Sequence, residues 1–262
     1  MPGAHALICC PQKPADLPAQ IRHCALAPLH YHEYSWFIMF ALWRLIQTDH
    51  VLIVQDDGWI LDAANWSDDF LDYDYIGAPI HLGRVDVPGS SIWMRGFGWC
   101  EHLGKPDHVV MPVLNGGVSL RSRRMLRALI DHPRIRVEIP PPQVTDTEPL
   151  KMYWFNDGLN EDVQLSAVLR PQLEAVGLRF APLELCARFA FEAAGPIHVG
   201  MNMLQIFGLH GWWRRLVSID PLVVRYGVSW QEVEVNNDEL QVVAMLRHRG
   251  YRVEFAASPH AA

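Results

Sequence analysis

Two adjacent carboxylates follow a short apolar segment in the first quarter of the chain. Residues 50–55 contain the run Val-Leu-Ile-Val and lead directly into Asp56-Asp57-Gly58. Because side chains alternate along a strand, Gln55 and Asp57 should leave it in one direction and Asp56 in the other. Mn²⁺ and Mg²⁺ take few protein carboxylates and complete their shells with water and substrate phosphates. The motif fits such a cation site; the alternative is a plain turn, with Asp56 bonded to local backbone and Asp57 solvated.

A second acidic group, Asn160-Glu161-Asp162, stands just before the helical pattern of residues 163–169. Acidic residues are common at helix starts, where capping and the helix dipole favour them. A carboxylate at such a junction could instead be a general base that faces a ligand cleft. Because backbone N–H groups and the dipole favour the charged form, a low pKa is expected for Asp162.

Two glycine-containing segments complete the candidate residues. Asn115-Gly116-Gly117 interrupts a strand pattern, which indicates either a bulge or a backbone that approaches a sugar or a diphosphate closely. His210 lies between two glycines and precedes Trp212, so it could be a metal ligand beside an aromatic platform, although a lone histidine is more often structural. If Asp57 and His210 share one ion, their side chains should lie within about 8 Å of each other.

The elements that position these residues follow an α/β pattern without repeats or linkers, which predicts one domain over residues 1–262. Strands are predicted at residues 5–10, 73–78, 113–120, 178–181 and 251–255, with residues 50–55 as a central strand covered on both faces. Helices are predicted at residues 31–47, 163–169, 171–177 and 231–249, after Ser67, and from a Ser122 cap to residue 130.

Three stretches are predicted to be irregular. Residues 11–28 form a Pro-rich connection, and residues 81–112 are rich in Gly, His and Trp and are expected to form long surface excursions. Residues 207–213 are expected to be an aromatic loop. Residues 133–150 include three consecutive prolines and predict an extended, poorly packed segment that could act as a lid.

Composition excludes several classes of protein. The 262 residues are 50% hydrophobic and 19% charged with a net charge of −7, which excludes a disordered chain and disfavours nucleic-acid binding. No apolar run is long enough for a transmembrane segment. Five cysteines without a CxxC pair favour a reduced, cytoplasmic setting, with peripheral contact at the inner membrane face left open. The motifs of dinucleotide dehydrogenases, P-loop NTPases, α/β-hydrolases and zincins are missing.

The order of the motifs is more specific than any one of them. Six blocks follow one another at residues 48–58, 66–79, 115–124, 160–163, 180–182 and 207–211. This order resembles the DUF5672 family, whose members look like glycosyltransferases of the GT-A fold, over residues 5–213. The resemblance implies a GT-A-like (nucleotide-diphospho-sugar transferase) mixed sheet flanked by helices. It also implies a nucleotide-sugar donor, a glycan or other hydroxyl acceptor, and Mn²⁺ or Mg²⁺ as cofactor.

The resemblance also implies roles for the candidate residues. Asp57 matches the last acid of the DxD motif that holds the cation on the donor diphosphate, and Gln55 stands where the first acid would be. His210 would complete the metal shell. Asp162 would be the base that deprotonates the acceptor, and Glu161 would bind the acceptor hydroxyl. The expected substrate-binding residues are Gln55, Asp56, Asn115, Gly116, Gly117, Asn160 and Trp212.

The chain departs from the GT-A pattern at its start. Residues 5–10 look like the second strand of the opening nucleotide-binding unit, so the first strand and its helix are expected to be missing, through a truncated gene model or a lost part of the donor pocket. Residues 214–262 are expected to be a C-terminal helix and strand extension.

Two other functions fit the same residues. One is a non-catalytic carbohydrate- or nucleotide-sugar-binding protein derived from this fold, which the missing unit and the ten tryptophans would suit. The other is a metal-dependent nucleotidyltransferase or phosphohydrolase, which would need more acidic ligands than the sequence offers.

Overall fold

Helices and strands form a mixed α/β arrangement, as predicted. The computed structural model describes residues 4–202, 205–211, 216–220, 223–235, 237–248 and 250–258. Its strands are β1 (Ala6–Cys10), β2 (Ile21–Ala25), β3 (His50–Val54), β4 (Gly58–Ile60), β5 (Tyr75–Val87), β6 (Ser90–Met94), β7 (Val109–Ser122), β8 (Gln143–Val144), β9 (Met152–Tyr153), β10 (Ala190–Phe191), β11 (Gly208–His210), β12 (Leu216–Asp220), β13 (Val223–Tyr226) and β14 (Arg252–Glu254). Its α-helices are α1 (Tyr31–Phe40), α2 (Arg123–Asp131), α3 (Glu161–Val163), α4 (Arg170–Ala175), α5 (Leu183–Phe189), α6 (Trp230–Glu234) and α7 (Asn237–His248).

Several of these elements follow directly from local sequence signals. Ser122 ends β7 and caps α2, because its hydroxyl accepts a hydrogen bond from the Met125 N–H. Ser67 caps a 3₁₀ helix, Asp68–Asp72, in the same way through the Asp69 N–H. The helix that begins at Glu161 continues as a π-helix over Gln164–Val168 before α4.

The largest sheet is antiparallel, with the strand order β3-β7-β5-β6. The prediction of a central β3 is wrong, because β3 is at one end of this order and pairs with β7 alone among the described strands. Its two faces are nevertheless both covered. Leu52 packs against the main hydrophobic core, while Val51 and Ile53 pack against the cluster that includes residues of α1.

A smaller three-stranded sheet has the order β10-β11-β4 and lies beside the carboxyl end of β3. The antiparallel pairing of β11 with β4 puts His210 opposite Gly58, and the parallel pairing with β10 puts Leu209 opposite Phe191. Phe191 and Leu209 pack into a C-terminal hydrophobic cluster with residues of β13, α6 and α7. This cluster supports the back of the strands that lead to the candidate site.

Three of the predicted irregular stretches contain regular structure. Residues 81–112 are not surface excursions, because they include the end of β5, all of β6 and the start of β7, and Trp99 is fully buried. Residues 11–28 contain β2, and the predicted aromatic loop contains β11. Conversely, the strand predicted at residues 178–181 is reduced to one isolated bridge, between Phe180 and Tyr75.

The ends of the described chain differ from the predictions in detail. β1 and β2 pair in parallel and are joined by turns and irregular backbone rather than by a helix. The closing helix is split into α6 and α7, and β14 follows. Residues 133–150 are mostly exposed and contain only the two-residue strand β8, which agrees with the expected extended segment. None of the described helices is both long enough and apolar enough to cross a membrane.

Candidate functional site

Asp57 and His210 meet at the junction of β3, β4 and β11. A turn closed by the Gly58 N–H on the Gln55 carbonyl ends β3 and places Asp57 next to the β4–β11 pairing. His210 Nε2 lies 3.1 Å from Asp57 Oδ1 and 3.1 Å from Gln55 Oε1. The predicted proximity of Asp57 and His210 is therefore confirmed, and so is the common direction of Gln55 and Asp57.

Glu192 approaches the other nitrogen of the same imidazole. It directly follows β10, and its Oε2 lies 3.7 Å from His210 Nδ1. The sequence reasoning missed this residue. The signal that could have found it is the one that revealed Asp57, namely a carboxylate immediately after a short apolar strand, here Ala190-Phe191.

These two carboxylates determine the charge of His210. Burial alone would lower the pKa of His210, but the interaction with Asp57 and the negative charges of Asp57 and Glu192 outweigh burial and raise the pKa to about 9. His210 is therefore an imidazolium at neutral pH in the absence of any other cation. The imidazole ring therefore lies where the negative charges of Asp57 and Glu192 attract a positive charge.

The glycine pair of β7 lets two side chains lie directly against the strand backbone. A Cβ at Gly117 would overlap the His210 imidazole and crowd the Gln55 amide. A Cβ at Gly116 would overlap the Glu161 carboxylate. Asn115 is buried and shapes this segment, because its Oδ1 accepts the Gly117 N–H at 2.6 Å. The glycines are thus explained by close approach of protein side chains, and the close approach of a sugar or a diphosphate stays a prediction.

Replacing Gly117 with Ala should displace His210 and destabilise the fold by about 1–3 kcal/mol, the usual cost of overpacking a close contact. The matched control is Gly98→Ala, because a Cβ at Gly98 would meet only the flexible Met94 side chain at 3.3 Å or more. Urea denaturation of both variants measures the difference. Equal denaturation midpoints would show that His210 is not held against β7.

Glu161 is buried in an ion pair with Arg121 on β7. Arg121 is fully buried, and its Nη2 donates to Glu161 Oε1 at 2.8 Å and to the Tyr75 hydroxyl at 3.0 Å. Glu161 is 2% exposed, and its backbone N–H donates to the Ser35 hydroxyl. Of the two Glu161 oxygens, Oε2 is buried and has no hydrogen-bond partner among the described residues.

Asp162 differs from Glu161 in being partly exposed. Its Oδ1 accepts the Val163 N–H at 2.8 Å. The expectation of a low pKa is wrong: desolvation, followed by the negative charges of Glu161 and Glu192, raises the pKa of Asp162 to about 7. The opposing effects of the Val163 N–H and of Arg121 are smaller than those of burial and of Glu161, and the contribution of Glu192 is smaller than that of the Val163 N–H. The start of a helix this short does not compensate for neighbouring carboxylates.

The remaining predicted site residues, Asn160, Asp56 and Trp212, do not share one environment. Asn160 is partly exposed, and its amide donates to the hydroxyl of the exposed Tyr31 at 3.1 Å. Asp56 is exposed. Trp212 lies outside the described residues.

The region matched by a known family includes most residues of this site. The DUF5672 family model, described as a protein of unknown function, matches residues 29–210, which is more than half of the chain. The chain belongs to the DUF5672 family. The match begins after β2 and ends at His210. Comparisons with curated proteins and with solved structures gave no match.

The charged groups of this DUF5672 site form one electrostatic cluster, because Glu192 lies near His210 at one end and affects the pKa of Asp162 at the other. Arg121 neutralises Glu161. Among the described residues, His210 is the positively charged side chain that approaches both Asp57 and Glu192.

The donor atoms at the Asp57 end fit a divalent cation only when a substrate contributes ligands. Three possible donor atoms lie together here, because Asp57 Oδ1 and Gln55 Oε1 are each 3.1 Å from His210 Nε2. Among the described residues no group of three or more His, Cys, Asp and Glu side chains is arranged to hold a metal. An oxygen-rich set of two or three protein donors suits Mn²⁺ or Mg²⁺ that is also bound by phosphates and water.

Proposed function

We propose that this DUF5672 protein is a metal-dependent glycosyltransferase of GT-A type that moves a sugar from a nucleotide-sugar donor to a hydroxyl acceptor with inversion. The observation that carries the proposal is the pairing of two chemically distinct ends in one cluster. One end has Asp57 beside His210, and the other has Asp162 with its pKa near neutrality. Glu192 lies within electrostatic range of both.

The Asp57 end is suited to the donor diphosphate. Asp57, with Gln55 and His210, would hold the divalent cation, which when bound neutralises the diphosphate leaving group. The Gly116-Gly117 backbone of β7 runs past this end and would lie beside the donor sugar. Without the cation, the His210 imidazolium is itself a positive charge at this point.

The Asp162 end is suited to the acceptor. A general base must be ionised near the working pH and still have affinity for a proton, and a pKa of about 7 meets both conditions. Asp162 would take the proton of the acceptor hydroxyl as the oxygen attacks the sugar from the face opposite the diphosphate, which gives inversion. Asn160 and Tyr31, which are hydrogen-bonded to each other, would line the path by which the acceptor enters.

Thermal shift with a panel of nucleotide sugars, with and without Mn²⁺, tests the proposal. Stabilisation that needs both donor and metal, followed by release of nucleoside diphosphate, supports a transferase. Stabilisation by free glycans without metal would instead identify a carbohydrate-binding protein. Release of phosphate or nucleoside monophosphate without sugar transfer would indicate phosphate-ester chemistry.

Asp57→Ala should abolish Mn²⁺-dependent donor stabilisation while the protein remains folded, because the substitution removes the carboxylate beside His210. Asp56→Ala is the matched control, since it removes the neighbouring carboxylate, which is exposed. We expect donor affinity to fall at least about tenfold in the first variant and to stay unchanged in the second. Equal loss in both would mean that the two carboxylates act only through general negative charge.

A further inference from the structure

Two buried polar atoms face each other without completing a hydrogen bond. His210 Nδ1 and Glu192 Oε2 are each buried and have no hydrogen-bond partner among the described residues. They lie 3.7 Å apart, a little beyond hydrogen-bond distance. On the other side of the same ring, Nε2 is already 3.1 Å from Asp57 and from Gln55. The imidazole thus lies between two carboxylates that approach different nitrogens.

We propose that Glu192 is a positioning residue that accepts the Nδ1–H of His210 and so holds Nε2 toward Asp57 and Gln55. The inference rests on the proposed function where it concerns the cation, but the hydrogen bond itself does not. A histidine that binds a metal through one nitrogen commonly donates the other N–H to a carboxylate, which fixes the ring orientation and strengthens the nitrogen as a ligand. Glu192 is the carboxylate in that location.

The strand register explains why Glu192 is held there. Phe191 pairs with Leu209 in the parallel β10–β11 ladder. The residues that follow them, Glu192 and His210, therefore lie side by side. Phe191 and Leu209 are both anchored in the C-terminal hydrophobic cluster. Gly117 closes the third side, because any Cβ there would push the ring away from β7.

Glu192 has other charged neighbours that a substitution would also affect. One of these is Asp162, because the negative charge of Glu192 contributes to the raised pKa of Asp162. The test must therefore separate an effect through the His210 ring from a general loss of negative charge. A control that removes one exposed glutamate and a double variant that lacks the ring provide this separation.

The first experiment is a titration of the full-length protein with Mn²⁺ alone, followed by the electron paramagnetic resonance signal of the free ion. Glu192→Gln should weaken Mn²⁺ binding about 10–100-fold, the usual effect of losing such a supporting carboxylate. Glu184→Gln, which neutralises an exposed glutamate on α5, should have no effect. In a His210→Gln background, Glu192→Gln should cause no further loss, because Glu192 acts through the ring. A full additional loss in that background would identify Glu192 as a direct ligand and overturn the proposal.

The second experiment needs neither metal nor activity. In protein labelled with ¹⁵N-histidine, the Nδ1–H proton of His210, assigned by its absence in His210→Gln, should be protected from exchange and shifted downfield by the carboxylate. The signal should move upfield in Glu192→Gln and exchange away in Glu192→Ala. An unchanged signal in both variants would overturn the proposal. If wild-type protein shows the signal but binds no Mn²⁺, Glu192 still positions His210, and the proposed divalent cation site is wrong.

Discussion

Replacing Asp162 with Asn is expected to lower sugar transfer by about two to four orders of magnitude while donor affinity is retained. The substituted amide keeps the shape of the side chain and its contact with the Val163 N–H, but it cannot accept the acceptor proton. The donor contacts are predicted to lie at the Asp57 end, so the substitution should leave them intact. Steady-state rates and donor titrations on the same preparation measure the two effects separately.

The control for this variant is Asp69→Asn, which neutralises an exposed carboxylate in a 3₁₀ helix away from the site. Glu161→Gln should weaken acceptor binding with a smaller effect on turnover, and it should also destabilise the fold because it leaves the buried Arg121 guanidinium without its negative partner. Transfer that survives in Asp162→Asn would mean that the acidic pair only begins a helix, and the proposed mechanism would be wrong.

The raised pKa of Asp162 also predicts how stability depends on pH. Because its pKa rises from 3.8 to about 7 on folding, the folded protein binds the Asp162 proton more tightly than the unfolded chain. The stability contributed by that proton is complete below pH 3.8 and is lost as the pH rises through 7. Asp162→Asn should therefore raise the melting temperature relative to wild type at about pH 8, with a smaller difference at about pH 5. A difference that does not depend on pH would contradict the raised pKa.

The parts of this protein that sequence reasoning found are those encoded by adjacent residues. An apolar run ended by Asp56-Asp57-Gly58 predicted both β3 and the turn at its end. Ser122 before a basic amphipathic segment predicted the capped α2. The approach of His210 to Asp57 is an exception, because the two residues are distant in sequence; it was expected from the order of the motifs, and the β4–β11 pairing brings the residues together.

The parts that it missed depend on contacts between distant residues. The sequence of residues 81–112 shows no clear periodicity. These residues nevertheless form strands, because β5, β6 and β7 pair with one another over long stretches. The pKa of Asp162 was mispredicted because helix position is a local property, whereas the largest cause of the raised pKa is burial, which depends on packing, and the charge of Glu192, thirty positions further along the sequence, adds a smaller contribution. Nothing near Arg121 indicates that its guanidinium is buried, since its partner Glu161 is forty positions away.

Replacing Arg121 with Met is expected to be the most destabilising of the substitutions considered, at about 3–5 kcal/mol. The substitution leaves the Glu161 carboxylate 2% exposed and without its cation, and it removes the guanidinium from the face of the Tyr75 ring. Arg127→Met is the matched control, because its ion pair with Asp131 lies on the surface of α2, and it should leave the denaturation midpoint almost unchanged.

A double variant separates the charge of the pair from its geometry. Arg121→Met with Glu161→Leu removes both charges and should recover most of the lost stability, since apolar replacement of a buried pair is often neutral. Transfer should nevertheless remain impaired in the double variant. The pair fixes Glu161 against Gly116, and the main chain passes directly from Glu161 to Asp162, so losing it frees the base to shift. If stability and transfer both recovered, the ion pair would contribute nothing to placing Asp162. If neither recovered, the hydrogen bonds of Arg121 to Ser119 and Tyr75, rather than its charge, would hold this part of the fold together.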